Sequence, residues 1–129
     1  MKKALEGIRI LDLSHVWFGP FCTLLLAEMG AEVIKIEPTW GDRTRMFAPL
    51  HNRESPTFQV LNLNKKGMTL NLKDPKGVKI FKELVEVSDV VVENFSPGTM
   101  EKLGLSYDEV KKVKPDIIYA SLSGFGQTG

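Results

Sequence analysis

Short apolar runs alternate with longer segments of helical period along the whole chain. The runs are rich in Val and Ile and are apolar at consecutive positions, which is typical of strands buried between two helical layers. Strand–helix–strand units of this length form a mostly parallel sheet with right-handed crossovers. The pattern therefore predicts an α/β fold, a five-stranded sheet with helices on both faces. The predicted strands are residues 8–13, 33–36, 69–72, 89–92 and 117–122.

The segments between these strands carry helix-end signals. Pro20 is suited to the start of a helix. Asp74 before Pro75 has the order of an N-cap followed by a first-turn proline. Ser106 and Glu109 have the spacing of a capping box. These signals predict the helices that the sheet needs on its faces.

Residues 38–67 depart from this alternation of apolar runs and helical segments. They contain prolines, mixed charge and a single helical hint at Ser55 and Pro56. A loop of that length inside a compact domain is usually functional or disordered. We therefore predict one domain over residues 1–129, interrupted by a long loop at 38–67.

Composition narrows the class of protein. The 129 residues include 17 Lys and Arg against 16 Asp and Glu, a formal charge of +1, which argues against a polybasic nucleic-acid binder. The single cysteine, Cys22, excludes an internal disulfide, and its apolar neighbours predict a buried thiol. No run approaches the roughly 18 apolar residues of a membrane span, and no signal peptide is evident. We expect a cytoplasmic protein with neither membrane nor nucleic-acid partners.

A ligand site can be predicted from the direction of the strands. In open parallel sheets, ligands bind beyond the carboxyl ends of the strands, where helix amino termini also favour phosphate. Cations, an amide and aromatic rings follow the predicted strands, so the sequence favours a nucleotide-like ligand. These residues are His15, Trp17, Arg43, Arg45, Lys73, Asn94 and Phe95.

Each of these residues also has a plainer interpretation. His15 could hydrogen-bond to backbone, Lys73 could be a solvated surface charge, and Asn94 could cap a turn. The pair Lys65 and Lys66 is expected to be exposed, and Trp17 could equally belong to the core. The positions of these residues do not decide between the two interpretations.

Known catalytic motifs are sparse. Residues 124–129 spell G-x-G-x-x-G, but the dinucleotide fingerprint needs a following helix and an acidic residue about 20 positions later. The match is weak evidence for a nicotinamide-dependent dehydrogenase. Phosphate-loop, C-x-x-C, H-E-x-x-H and G-x-S-x-G motifs do not occur. With only two histidines, we expect no metal site.

Several ordered blocks are similar to a known family. The chain resembles the amino-terminal part of the family III coenzyme A transferases, the CaiB/BaiF and formyl-CoA transferase group, over nearly its whole length. The blocks are LEGIRILDLSHV at 5–16, GPF at 19–21, LAEMGAEVIKIE at 26–37, LKDPKG at 72–77, VVENFSPG at 91–98 and SLSGFGQTG at 121–129.

The resemblance implies an acyl-CoA:carboxylate CoA-transferase with a Rossmann-like three-layer fold, of which this chain is an incomplete part. The family's catalytic aspartate is expected further along the polypeptide, together with a small domain, so no catalytic residue is assigned here. CoA or acyl-CoA is expected as substrate, with a carboxylic acid acceptor and no tightly bound cofactor. Full-length members are expected to form interlocked homodimers. By position, the expected CoA-site residues are His15, Val16, Leu70, Leu72, Lys73, Asn94, Phe95 and Lys102.

Two alternatives accompany this interpretation. A 2-methylacyl-CoA racemase of the same superfamily would perform proton abstraction instead, and a CoA-binding module would perform no catalysis. The block Ser14-His15-Val16 is more similar to the transferases. Relatives can carry an arginine where this chain has Pro38, so a phosphate contact is expected from Arg43 or Arg45 instead.

Overall fold

The computed structural model describes residues 2–128 and contains a five-stranded sheet in the order β3-β2-β1-β4-β5. All pairings are parallel, which confirms the predicted α/β fold. A short 3-10 helix covers Arg43–Met46. The other elements are β1 (Arg9–Asp12), α1 (Phe18–Glu28), β2 (Glu32–Glu37), α2 (Pro56–Leu61), β3 (Lys66–Thr69), α3 (Pro75–Glu86), β4 (Val90–Glu93), α4 (Thr99–Lys102), α5 (Tyr107–Val113) and β5 (Ile118–Ser121).

The sheet is buried on both faces because successive side chains of a strand point to opposite sides. Leu11 of β1 packs on the face covered by α3, α4 and α5, together with Phe81 and Val110. Its neighbour Ile10 packs on the other face with Ala27 of α1. Two apolar clusters therefore hold three layers together, and β1 lies at the centre of the sheet.

The third strand lies three residues earlier than predicted. The sequence pattern placed it at 69–72, whereas β3 spans Lys66–Thr69 and pairs only with β2. As an edge strand it is largely exposed, and residues such as Lys66 and Gly67 give no apolar signal. Leu70 and Leu72 consequently lie beyond the strand, at its carboxyl end.

The segment 38–67 is more regular than predicted. Asp42 caps the 3-10 helix by accepting a hydrogen bond from Thr44 N, and Ser55 caps α2 by accepting one from Phe58 N. The helical hint at Ser55 is thus confirmed. The segment also includes the start of β3 at Lys66.

The remaining helix predictions are correct with small shifts. Helix α1 begins at Phe18, so Pro20 is its third residue. Its outer face leaves Phe21 and Leu25 half exposed, and Cys22 is partly rather than fully buried. Asp74 and Ser106 cap α3 and α5 as predicted.

Within residues 2–128, no helix combines the length and the apolar character that crossing a bilayer requires.

Candidate functional site at the carboxyl edge of the sheet

The strand order places a topological switch point between β1 and β4. From β1 the chain proceeds outward through β2 and β3, then returns to add β4 on the other side. In open α/β sheets such a reversal leaves a crevice outside the carboxyl ends of the two central strands, and ligands bind there. His15 follows β1 and Asn94 follows β4, so both lie at this crevice.

Asn94 holds the backbone of His15 with two hydrogen bonds. Its Oδ1 accepts from His15 N at 2.8 Å, and its Nδ2 donates to His15 O at 2.8 Å. The amide side chain thereby joins the two loops that border the switch point. Asn94 therefore positions His15. Neither of the two interpretations of Asn94 from sequence, as a ligand contact or as a turn cap, anticipated this role.

Two buried charges fix the residues on either side of His15. Lys35 of β2 donates from Nζ to Ser14 O at 2.8 Å and lies 3.0 Å from Asp42 Oδ2. The Asp42 carboxylate in turn accepts from Val16 N at 3.3 Å. Both charged side chains are at most 2% exposed. Consecutive backbone groups of the 14–16 loop are thus held by side chains from three separate segments.

Val16 has a strained backbone conformation. Its φ is 69°, in the left-handed region that is unfavourable for a β-branched residue. Such strain costs on the order of 1–3 kcal/mol and persists where surrounding contacts determine the conformation. Those contacts are the hydrogen bonds at Ser14, His15 and Val16. Conformational strain of this kind concentrates at functional sites.

The helix that follows is packed tightly against this loop. A Cβ on Gly19 would lie 2.2 Å from the Ser14 Cβ and 2.6 Å from its Oγ. Only glycine allows α1 to approach Ser14 this closely, so the GPF block has a steric function in shaping the loop.

The electrostatics of the loop keep Asp42 ionised and His15 neutral. Burial pushes the pKa of Asp42 upward, but hydrogen bonds from Thr44 and the charge of Lys35 outweigh it, so the pKa lies below its ordinary value of 3.8. For His15, burial is the largest effect and lowers the pKa below 6.5, despite the opposing charge of Asp42. The imidazole is therefore an uncharged hydrogen-bonding group at neutral pH.

Of the two arginines considered for phosphate contact, Arg45 is already engaged. Its Nε and one terminal nitrogen bind the Glu37 carboxylate at 2.8 and 2.7 Å, and its guanidinium carbon lies 3.7 Å from the Phe58 ring centroid. Burial raises the pKa of Glu37, but the hydrogen bonds from Arg45 and Asp42 N outweigh that effect and leave it lowered. Arg43, by contrast, lines the cavity at the crevice.

That cavity has a volume of about 400 Å³. Its floor is apolar core, including Leu13, Ile36 and Leu103, and its walls carry the polar groups. Of the residues expected at the site, Lys102 alone does not line the cavity; it is exposed on α4, whereas Thr99 and Leu103 face inward. The expected residues that do line it are His15, Val16, Leu70, Leu72, Lys73, Asn94 and Phe95.

Two features of the site were missed by sequence reasoning. Trp40, rather than Trp17, lines the cavity, and Trp17 is 56% exposed elsewhere on the surface. Lys65, predicted to be exposed, has a side chain only 1% exposed and lies 3.0 Å from Asp12 Oδ2. Lys66 is exposed as predicted.

A larger cavity of about 550 Å³ lies beside β4 and β5. It is lined by residues such as Tyr107, Ile118 and Tyr119, and of the expected site residues it contacts Phe95 alone. Burial raises the pKa of Tyr119 and keeps its hydroxyl protonated. Because the smaller cavity lies at the switch point and contains the strained loop, we place the candidate site there.

Two further sequence features can be compared with the structure. Within residues 2–128, no group of three or more His, Cys, Asp or Glu side chains could hold a metal ion. Residues 124–128 form no helix, and Gly129, the last position of the G-x-G-x-x-G match, lies outside the described residues.

The chain is similar to curated transferases. It is 52% identical over 129 residues to a succinyl-CoA:glutarate CoA-transferase of Mus musculus, covering 98% of this chain and 30% of that protein. It is 49% identical over 126 residues to a formyl-CoA:oxalate CoA-transferase of Streptomyces coelicolor, covering 97% of this chain and 31% of that protein. The chain thus spans less than a third of the length of these curated relatives.

Solved structures and a family model agree with these similarities. A CaiB/BaiF family protein from Brucella suis superposes with a TM-score of 0.93 at 34% identity, covering 100% of this chain and 35% of that one. A hypothetical protein from Mycobacterium tuberculosis superposes with a TM-score of 0.92 at 38% identity, covering 98% and 35%. The model of CoA-transferase family III matches residues 5–129. The chain therefore belongs to CoA-transferase family III.

Proposed function

We propose that this chain forms the CoA-binding portion of an enzyme that moves CoA from one carboxylic acid to another. Membership of CoA-transferase family III supports this proposal, as do relatives named for succinyl-CoA:glutarate and formyl-CoA:oxalate transfer. The observation that carries it is the cavity at the switch point. This cavity is bordered by His15 and by Asn94, whose side chain makes two hydrogen bonds to the His15 backbone.

The cavity suits the chemical parts of CoA. Its apolar floor matches the uncharged pantetheine arm, and the cations Arg43 and Lys73 on its wall match the phosphates. Among the described residues, neither of these cations makes a salt bridge. Their charges therefore remain available for an anionic ligand.

Within this site, the residues have distinct roles. The backbone of the 14–16 loop and the neutral His15 ring form the wall at the switch point, and Phe95 packs beside that ring with centroids 5.4 Å apart. Leu70 and Leu72 supply apolar contact at the end of β3. Asn94 lines the cavity and also positions His15. Lys102 would contact CoA only where the molecule extends beyond the cavity.

The chemistry follows from the family resemblance. An aspartate carboxylate in the remaining polypeptide would attack the donor thioester, forming a mixed anhydride and releasing CoA thiolate. The thiolate would attack the enzyme-derived carbonyl of the anhydride, freeing the donor acid and leaving an enzyme thioester. The acceptor carboxylate would attack that thioester, forming a second mixed anhydride and releasing CoA thiolate. The thiolate would then attack the acceptor carbonyl of this anhydride, giving the acceptor acyl-CoA and regenerating the aspartate carboxylate. This is covalent catalysis by a carboxylate, and the present chain contributes the CoA-holding surface.

Two further properties extend this proposal to the whole protein. The complete enzyme would form interlocked homodimers in the cytoplasm, with CoA as a substrate and no tightly bound cofactor. Light scattering of a full-length protein would measure the dimer, and a monomer would contradict it.

Titration calorimetry and thermal unfolding with CoA test the proposed site. CoA binding to the folded chain should raise the unfolding midpoint progressively with ligand concentration. NAD serves as the matched control, because it carries adenine and phosphates without the pantetheine arm. A midpoint that rises with NAD and not with CoA would overturn the proposal in favour of a dinucleotide site.

A further inference from the structure

Trp40 has an unusual environment for a tryptophan. Its residue surface is 71% exposed, although tryptophan is highly buried on average. It lies on the loop after β2 and lines the cavity. A large apolar ring in this position exposes a flat face beside a candidate ligand site.

The backbone beneath Trp40 is well fixed despite this exposure. Gly41 N donates to Pro38 O at 2.9 Å, which closes a turn around the tryptophan, and Gly41 has a φ of 79° that favours glycine. The next residue is anchored too, since Asp42 N donates to Glu37 Oε2 at 2.8 Å. The ring is therefore presented from a turn that is closed by its own backbone hydrogen bond and followed by a residue that the buried Glu37 carboxylate holds in place.

Two cations share the cavity with the exposed ring. Lys73 Nζ lies 5.8 Å from the Trp40 ring centroid, and Arg43 lines the same cavity. Among residues 2–128, neither cation has a carboxylate partner. An indole ring that shares a cavity with two such cations is complementary to an adenine nucleotide, because adenine stacks on aromatic rings and its phosphates attract the cations.

We infer that Trp40 is the platform on which the adenine ring of CoA stacks, with Arg43 and Lys73 facing its phosphates. The inference rests on the proposed CoA site and specifies how that site distinguishes the nucleotide end of CoA from its pantetheine arm. In this arrangement the apolar floor receives the pantetheine arm, and Trp40 receives the base at the outer wall.

Tryptophan fluorescence gives a direct test. The chain has two tryptophans, so Trp17→Phe leaves Trp40 as the single reporter. Stacking should quench this signal on addition of CoA or adenosine 3′,5′-bisphosphate, and pantetheine should leave it unchanged. Trp40→Ala should weaken binding of both nucleotide ligands by roughly 10- to 100-fold, the range expected for one base–aromatic stack. Trp40→Phe should recover part of that loss.

Trp17→Ala is the matched control, because Trp17 is also exposed and does not line the cavity. Its CoA affinity should equal that of the parent chain, and urea unfolding should be unchanged in both alanine variants. Equal CoA affinity of Trp40→Ala and the parent would overturn the inference while leaving the proposed CoA site standing. Absence of CoA binding by the parent chain would overturn both.

Discussion

The ammonium of Lys65 lies 3.0 Å from the Asp12 carboxylate, although the two residues are 53 positions apart. The same Nζ donates to Pro20 O at 2.9 Å and to Thr23 Oγ1 at 2.8 Å. Burial lowers the pKa of Lys65, and the charge of Asp12 opposes that shift. This ion pair ties the segment before β3 to the central strand and to α1, directly behind the strained 14–16 loop.

Lys65→Met should therefore destabilise the fold strongly. Removing one partner of a buried ion pair leaves an uncompensated charge, at a cost of about 3–5 kcal/mol. Urea unfolding followed by circular dichroism measures the change. If the variant fails to fold, Asp12→Asn combined with Lys65→Met should restore part of the stability, because no buried charge then remains unpaired.

Lys66→Met is the matched control for this prediction. The Lys66 side chain is 70% exposed and pairs with Glu32 on the surface, and exposed pairs contribute about 0–1 kcal/mol. Equal destabilisation by Lys65→Met and Lys66→Met would show that the buried Lys65–Asp12 pair contributes no more to the free energy of unfolding than the exposed pair does.

Asn94→Ala should weaken CoA binding while leaving the fold intact. The substitution removes both hydrogen bonds to the His15 backbone, each contributing about 0.5–1.5 kcal/mol. The 14–16 loop would then be less well fixed, and the backbone amide signal of His15 should shift in NMR spectra. Unchanged CoA affinity together with an unchanged His15 signal would contradict the positioning role of Asn94.

The His15 imidazole should titrate below pH 6.5, its ordinary value. Its folded pKa is lowered, so the neutral form is favoured in the folded state. Its contribution to stability is full above pH 6.5 and is lost as the pH falls through the folded pKa. NMR titration of a His51→Gln variant, in which His15 is the only histidine, measures this directly.

Asp42→Asn is the informative companion variant. The Asp42 charge raises the pKa of His15 against the lowering effects of burial and Lys35. Its removal should therefore lower that pKa further. A His15 pKa at or above 6.5 in the parent would contradict the proposal that burial favours an uncharged imidazole in the wall of the site.

Substitutions of the two arginines of the 3-10 helix should affect different properties, one the CoA affinity and the other the free energy of unfolding. Arg43→Ala should weaken CoA binding several-fold with little effect on unfolding, because Arg43 lines the cavity and makes no salt bridge among the described residues. Arg45→Ala should instead lower the free energy of unfolding by about 1 kcal/mol, since it breaks a half-exposed pair with Glu37. Calorimetry and urea unfolding of both variants check the separation, and the reverse pattern would contradict it.

Much of the fold could be predicted because buried parallel strands produce apolar runs with no polar alternation. The common direction of the strands also predicts that His15 and Asn94 lie at one edge of the sheet, since the carboxyl ends of parallel strands meet there. Edge strand β3 was misplaced because Lys66 and Gly67 are exposed and carry no apolar signal.

Long-range partners could not be predicted in the same way. The burial of Lys65 depends on Asp12, to which no local pattern connects it. The position of Trp40 depends on a turn inside a segment predicted as a loop. The direct partner of Asn94 is backbone, which a sequence pattern does not identify.

The most direct measurement is a map of backbone amide shifts in the 129-residue chain as CoA is added, for the parent and for Asn94→Ala. In the parent, the largest changes should cluster at the carboxyl edge, at His15, Lys73 and Asn94, and the same changes in the variant should require more CoA. Changes clustered at the amino edge, for example at Glu32 and Asp89, would contradict a CoA site at the switch point.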